Sequence, residues 1–151
     1  MDITYRNATI IDLDFLVESR LDFIHISSVD ENYELIKRNL YLYFENSLEA
    51  KQCDIVLAES NSSVIGTGII FYYNSVPSFF NPWGKNAYIT SMFVKEEYRR
   101  RGIASTILDE LIKIAQHKEY HIIILQESDM GRPLYEKFGF HEGKKGMILK
   151  F

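Results

Sequence analysis

The stretch Val94-Lys95-Glu96-Glu97-Tyr98-Arg99-Arg100-Arg101-Gly102-Ile103-Ala104 puts three consecutive arginines directly ahead of the clearest helical pattern in the chain. A helix N-terminus carries about +0.5 of a charge, so each cation there costs a few tenths of a kcal/mol. An anion would complete the arrangement. Gly102 and Ala104 are small enough for a phosphate to approach the N–H groups of the first helical turn. A solvated arginine run serving solubility accounts for the same residues without a ligand. The spacing is neither Gly-x-Gly-x-x-Gly nor a Walker loop, which needs Gly-Lys-Ser/Thr. The four histidines (His25, His117, His121 and His141) lack metal-ligand spacing. The single cysteine, Cys53, excludes an intramolecular disulfide and a Cys-based structural zinc site, and is expected as a half-buried structural thiol. No metal is expected. The absence of a Gly-x-Ser-x-Gly elbow sets hydrolase chemistry aside.

A strand must deliver the arginines and a helix must follow them. Ala87 to Val94 reads as that strand. Gly102 to Gln116 reads as the helix, with Ile103, Ile107, Leu108, Leu111, Ile112 and Ala115 on one face and His117 and Lys118 at its cation-favouring end. His121 to Leu125 is a continuous apolar strand, expected to be buried on both faces. Pro133 to Phe138 is a short helix closed by Gly139, and Gly146 to Phe151 a last strand. Upstream, Ile3 to Ala8 reads as a first strand. A helix follows over Ile10 to Ile24, and a second from about Glu31 to Leu48 behind Asp30. Asp54 to Glu59 and Val64 to Tyr73 form a hairpin about Ser60-Asn61-Ser62-Ser63. Asn74 to Lys85 is an aromatic-rich loop with Pro77, Pro82 and Gly84 among Phe79, Phe80 and Trp83. The order β-α-α-β-β-β-α-β-α-β is mixed α/β (α+β): antiparallel hairpins, then a right-handed parallel βαβ crossover.

At 151 residues, with 46% hydrophobic and 25% charged side chains, residues 1–151 suit a single folded domain. A net charge of −4 argues against a nucleic-acid partner. No apolar run approaches the ~18–20 residues of a membrane span, and the polar start MDITYRN is unlike a signal peptide, so a cytoplasmic protein without a membrane partner is expected. The charge is uneven. Residues 1–50 carry four basic and ten acidic side chains, net −6; the rest carry thirteen and eleven, net +2. Two ligand surfaces, or merely acidic solvated helices, explain that split.

Arg99-x-x-Gly102-x-Ala104, after a strand and opening a helix, resembles the acyl-CoA pyrophosphate loop of the GNAT acetyltransferases, whose signature is Gln/Arg-x-x-Gly-x-Gly/Ala. Ile124-Leu125-Gln126-Glu127-Ser128, then Gly131-Arg132-Pro133-Leu134-Tyr135-Glu136-Lys137-Phe138-Gly139-Phe140, is similar to the strand and the Leu-Tyr-x-x-x-Gly-Phe helix of that family. Tyr88 to Val94 resembles its pantetheine-pairing strand. The resemblance implies a GNAT-like fold, a central mixed and mostly antiparallel sheet of about six to seven strands flanked by about four helices. It implies acetyl-CoA as co-substrate. Backbone groups of Met92, Phe93 and Val94 would take the pantetheine and the acetyl group. The N–H groups of Arg100, Arg101, Gly102, Ile103 and Ala104, with Ser105 and the Arg99 to Arg101 side chains, would cradle the pyrophosphate. Ser128 stands where the family often has an Asn touching the CoA arm, and its hydroxyl replaces only one side of an amide. Arg132 or Lys137 would reach the ribose phosphate, with a solvent-facing cation as the plainer reading of each.

The resemblance also makes Tyr135 the catalytic candidate. An amine attacks the thioester carbonyl, and a phenol near the sulfur protonates the departing thiolate. Periodicity alone reads Tyr135 as a core residue beside Leu134 and Phe138. Where many family members carry a Glu as general base, this chain has Tyr88, whose side chain is a phenol and a poor base. Glu127, and less directly Glu59, are the replacement carboxylates; an amine arriving neutral, or a water chain, would need neither. The activity implied is N-acetyl transfer from acetyl-CoA to a small-molecule or peptide amine. That acceptor would enter between the two N-terminal helices and the C-terminal hairpin, where Asp22, Asp30, Glu31 and Glu34 suit a cation. The loop Phe79-Phe80-Asn81-Pro82-Trp83 would wall that pocket or form a homodimer contact. Two rivals are a non-catalytic acyl-CoA sensor and a binder of anionic polymers through Arg99 to Arg101.

Overall fold

A computed structural model describes residues 2–143, 147, 149 and 150. Strand β1 (Thr4–Asn7) leads through a 3-10 turn (Ile10–Asp12) into helix α1 (Leu13–Phe23), where Leu16, Val17 and Leu21 are buried. The entry is pinned by charge. Arg6 Nη2 lies 2.8 Å from Asp12 Oδ1 and 2.7 Å from Glu59 Oε1, and the Thr9 N–H donates to Asp12 Oδ2 at 2.8 Å. The Arg6 guanidinium holds the Asp12 carboxyl below its usual range. The single helix expected over Ile10 to Ile24 is therefore a 3-10 turn joined to an α-helix, because Asp12 is drawn aside to serve Arg6 and Thr9.

Helix α2 (Tyr33–Glu49) is followed by β2 (Cys53–Ser60), β3 (Ser63–Asn74) and β4 (Lys85–Val94). The β2–β3 hairpin turns through Asn61 and Ser62, both left-handed (φ 50° and 61°), which matches the twist of a two-residue turn. A second 3-10 turn (Glu96–Tyr98) precedes α3 (Ile103–His117), then β5 (Ile123–Leu125) and α4 (Arg132–Lys137). The sheet order is β1-β2-β3-β4-β5, antiparallel throughout except for the parallel β4–β5 pair. Cys53, Ile55, Leu57 and Ile69 join Leu16, Val17, Leu21 and Phe44 on the α1/α2 face. Val56, Ala58, Ile70, Ala87 and Ile89 join Ile103, Ile107, Leu108, Leu111 and Ala115 on the α3 face. Gly68 lets α3 come close: a Cβ there would lie 2.6 Å from both Ile107 Cγ2 and Met92 Sδ.

Five strands and four α-helices are present among the described residues, against about six to seven strands expected. The last expected strand, Gly146 to Phe151, falls partly on residues outside the described ones. β5 is not buried on both faces. Ile123 and Leu125 are half-buried and Ile124 is 37% exposed, since β5 edges the described sheet. Among the described residues no helix is long and apolar enough to cross a membrane.

Candidate active site

The parallel pairing of β4 and β5 stops early. Ala87, Tyr88 and Ile89 face Ile123, Ile124 and Leu125, and from Thr90 onward β4 has no partner on that side among the described residues. On its other side β4 stays paired with β3, with one irregularity. Thr67 faces Phe93 and Ile69 faces Thr90, so Ser91 and Met92 together oppose the single Gly68. This is a β-bulge, and Ser91, 5% exposed, takes the left-handed φ of 52°. A bulge re-aims the backbone. Here it does so where β4 has lost its neighbour, leaving a slot whose donors and acceptors belong to the Thr90 to Val94 main chain.

The slot runs into the arginine loop. Arg100 and Gly102 are both left-handed (φ 62° and 78°), and Gly102 is the N-cap of α3 without a side-chain cap. The first-turn N–H groups of Ile103, Ala104 and Ser105 have no partner inside the helix by its geometry. A Cβ on Gly102 would meet nothing within 4 Å, so the space in front of those groups is open. Two of the arginines bond to nearby carbonyls. Arg99 Nε donates to the Val94 carbonyl at 3.1 Å, and Arg101 Nη2 to the Glu97 carbonyl at 3.2 Å with its guanidinium 5.6 Å from the Tyr98 ring. An open helix N-terminus beside three cations fits a diphosphate. The Ile103 side chain is core, 1% exposed, so only its N–H group faces a ligand.

Ser128 and α4 follow the end of β5. The Ser128 hydroxyl accepts the Gly131 N–H at 3.2 Å, which leaves its O–H free to donate. Tyr135 is half-buried on α4, its ring 5.9 Å from Phe140 at 68°. A Cβ on Gly131 would come within 2.9 Å of that ring, so glycine permits the approach. Burial first, and then the negative charge of Glu127, push the Tyr135 phenol above its usual range. It therefore stays protonated at neutral pH, as a proton donor must. Glu127 itself is exposed and ion-paired with Arg132 at 2.8 Å. Arg132 also meets Glu142 at 3.1 Å and Glu136 at 3.4 Å, so three carboxylates engage it.

The opposite face of β4 is aromatic. Tyr88 stacks on Phe71 with centroids 5.2 Å apart. From α1, Arg20 Nη1 donates to Ser91 Oγ at 2.8 Å, and its guanidinium lies 5.2 Å from the Phe23 ring. Sequence reading missed both Arg20 and the bulge. Arg20 did leave a signal, because a charge at i+4 from Leu16 and beside Leu21 falls within the buried stripe of α1. The aromatic loop lies elsewhere. Phe79 and Phe80 are exposed, and Trp83 packs 4.1 Å from His121, at the Lys85 end of β4 and ~20 Å along the strand from the bulge. No cluster of three or more metal-ligating side chains occurs among the described residues.

A model of the acetyltransferase (GNAT) family matches residues 20–140. An N-alpha-acetyltransferase of Saccharolobus solfataricus is 28% identical over 159 aligned positions, which cover 99% of this chain and 84% of the relative. A predicted acetyltransferase of Clostridium acetobutylicum, crystallised with acetyl-CoA, superposes with a TM-score of 0.89 at 32% identity, covering 99% of this chain and 96% of the other. A GCN5-related N-acetyltransferase of Ralstonia eutropha shares the fold at a TM-score of 0.88 and 16% identity, with 99% of each chain covered.

Proposed function

Since the chain belongs to the acetyltransferase (GNAT) family and is an acyltransferase, we propose that it moves the acetyl group of acetyl-CoA to a primary amine by direct attack in a ternary complex. The observation that carries this reading is the slot. A β4 edge unpaired among the described residues, with a bulge, ends at an open helix N-terminus flanked by Arg99, Arg100 and Arg101. Acetyl-CoA supplies the activated thioester. The extended arm takes the place of a neighbouring strand and is held by main-chain groups of Met92, Phe93 and Val94 as an added strand is held. The N–H groups from Arg100 to Ala104, with Ser105, bind the diphosphate, and the Ser128 hydroxyl donates across the slot.

In the transfer the amine nitrogen bonds to the acetyl carbon and the carbon–sulfur bond breaks. One proton leaves the nitrogen and one reaches the sulfur. Tyr135 gives the second and regains its proton from water. The first goes to water: Tyr88 carries no carboxylate at the β4 position, and Glu127 would have to leave Arg132 to take it. The acceptor approaches from the α1/α2 face, where Tyr88 and Arg20 lie, opposite the α3 side that carries the diphosphate loop. A panel of primary amines assayed for release of free CoA tests the proposal. Saturable release with at least one amine is expected. CoA binding without release on any amine would make the chain a sensor and overturn it.

A further inference from the structure

Arg20 is a half-buried cation that forms no ion pair among the described residues, although the chain is acidic overall and most acidic around it. Its polar contacts are hydroxyls only, Ser91 Oγ at 2.8 Å and Thr90 Oγ1 at 3.5 Å. Around it lie the Phe23 ring and, within electrostatic range, the phenols of Tyr43 and Tyr88. Burial disfavours its charged form, and among the described residues no carboxylate answers that cost. The guanidinium has five donors in a planar fork, of which Nη1 alone is engaged by Ser91 and Thr90. The remaining edge is shaped for a carboxylate. Its position is as telling as its charge, because Ser91 is the bulge residue of β4, next to Met92, where the acetyl-binding backbone is expected to begin. An anion held by Arg20 therefore sits a few ångströms from the reacting centre, on the face from which the amine arrives.

We infer that the acceptor is an amine bearing a carboxylate, and that Arg20 binds this carboxylate while the Phe23, Tyr43 and Tyr88 rings flank the carbon skeleton. The inference rests on the transferase reading above and names its substrate class. It reverses the expectation that the acidic first third selects a simple cation.

The test uses three amine pairs differing by one carboxylate: alanine and ethylamine, phenylalanine and phenethylamine, lysine and cadaverine. CoA release is measured for the natural chain, Arg20→Met and Arg20→Lys. A second arm measures binding of 3-phenylpropionate, which has the carboxylate and no amine, to the CoA-loaded protein by calorimetry. The natural chain should prefer the carboxylated member of at least one pair by about 10²-fold in kcat/KM, the scale of losing one partner of a buried charge pair. Arg20→Met should collapse that ratio to within a few-fold, and Arg20→Lys should restore it only in part, since an ammonium lacks the fork. 3-Phenylpropionate should bind the natural chain and not Arg20→Met.

A natural chain that takes ethylamine, phenethylamine and cadaverine as well as their partners would overturn the inference. So would Arg20→Met lowering both members of a pair equally while raising the KM for acetyl-CoA, since that is the signature of a residue that only braces the bulge. If no amine is acetylated yet 3-phenylpropionate binds in an Arg20-dependent manner, the transferase reading fails and the carboxylate site stands. If neither turnover nor binding appears, the carboxylate site fails as well.

Discussion

Replacing Gly102 with valine separates two costs that usually travel together. Gly102 sits at φ 78°, where an L side chain is strained, and a Cβ there would meet nothing within 4 Å. The substitution therefore carries backbone strain of about 2 kcal/mol with no clash against the protein. For a domain of this length that lowers Tm by about 4–8 °C. CoA at a hundredfold excess over its Kd should stabilise the natural chain by about 2.7 kcal/mol, raising Tm by about 5–11 °C. In Gly102→Val that ligand-dependent rise should vanish, because the valine methyls fill the open space before the first-turn N–H groups of α3. Gly139 supplies the control. It stands at φ 90°, its Cβ position is also empty, and it lies beyond α4. Gly139→Val should lose comparable stability yet keep the full rise with CoA. Thermal melts of the three proteins, with and without CoA, decide the matter. An undiminished rise in Gly102→Val, or equal loss in both variants, would refute the diphosphate loop.

Tyr135→Phe should lower kcat by ~10²–10⁴-fold with little change in CoA affinity or Tm, whereas a purely structural hydroxyl would cost stability and spare turnover. Gly68→Ala should destabilise by about 1–3 kcal/mol, because its Cβ overlaps Ile107 and Met92, and should weaken CoA binding through the displaced Met92. Burial pushes the Cys53 thiol up to about 11, so the unfolded chain ionises first as pH climbs. Stability should then fall between about pH 9 and 11 by up to ~1.4 kcal/mol per pH unit, and Cys53→Ala should flatten that slope in denaturant titrations. Asp12 has the opposite sign: its lowered pKa gives stability that is present above about pH 4 and lost as pH falls through the folded value. Asp12→Asn should cost about 1 kcal/mol at pH 7 and almost nothing at pH 2, as read from melts.

Periodic features were legible in the sequence. The stripe Ile103, Ile107, Leu108, Leu111 and Ala115 announced α3, and the Asn61-Ser62 turn announced the hairpin that orders the sheet. The arginine loop could be located because its chemistry is local: charge, glycine and helix start lie within a few residues. What escaped is non-local. The slot exists because β5 ends at Leu125 while β4 runs on to Val94, a difference in strand lengths that no residue in either strand declares. The bulge escaped because its left-handed residue is Ser91 where glycine would have flagged it. Arg20 meets Ser91 across 71 positions, a contact that only the packing of α1 on β4 creates.

The half-open edge of β4 bears on how the chain behaves in company. Unpaired main-chain groups along a strand invite a neighbouring molecule to add its own strand, the usual start of aggregation. The bulge denies that template. With Ser91 turned out of the extended conformation, the Thr90 to Val94 edge is broken into pieces too short for a regular ladder. A narrow, flexible arm that needs only a few hydrogen bonds can still use it. The kink that shapes the slot for its ligand thus also screens out polypeptide, and straightening β4 would turn a binding cleft into an adhesive seam.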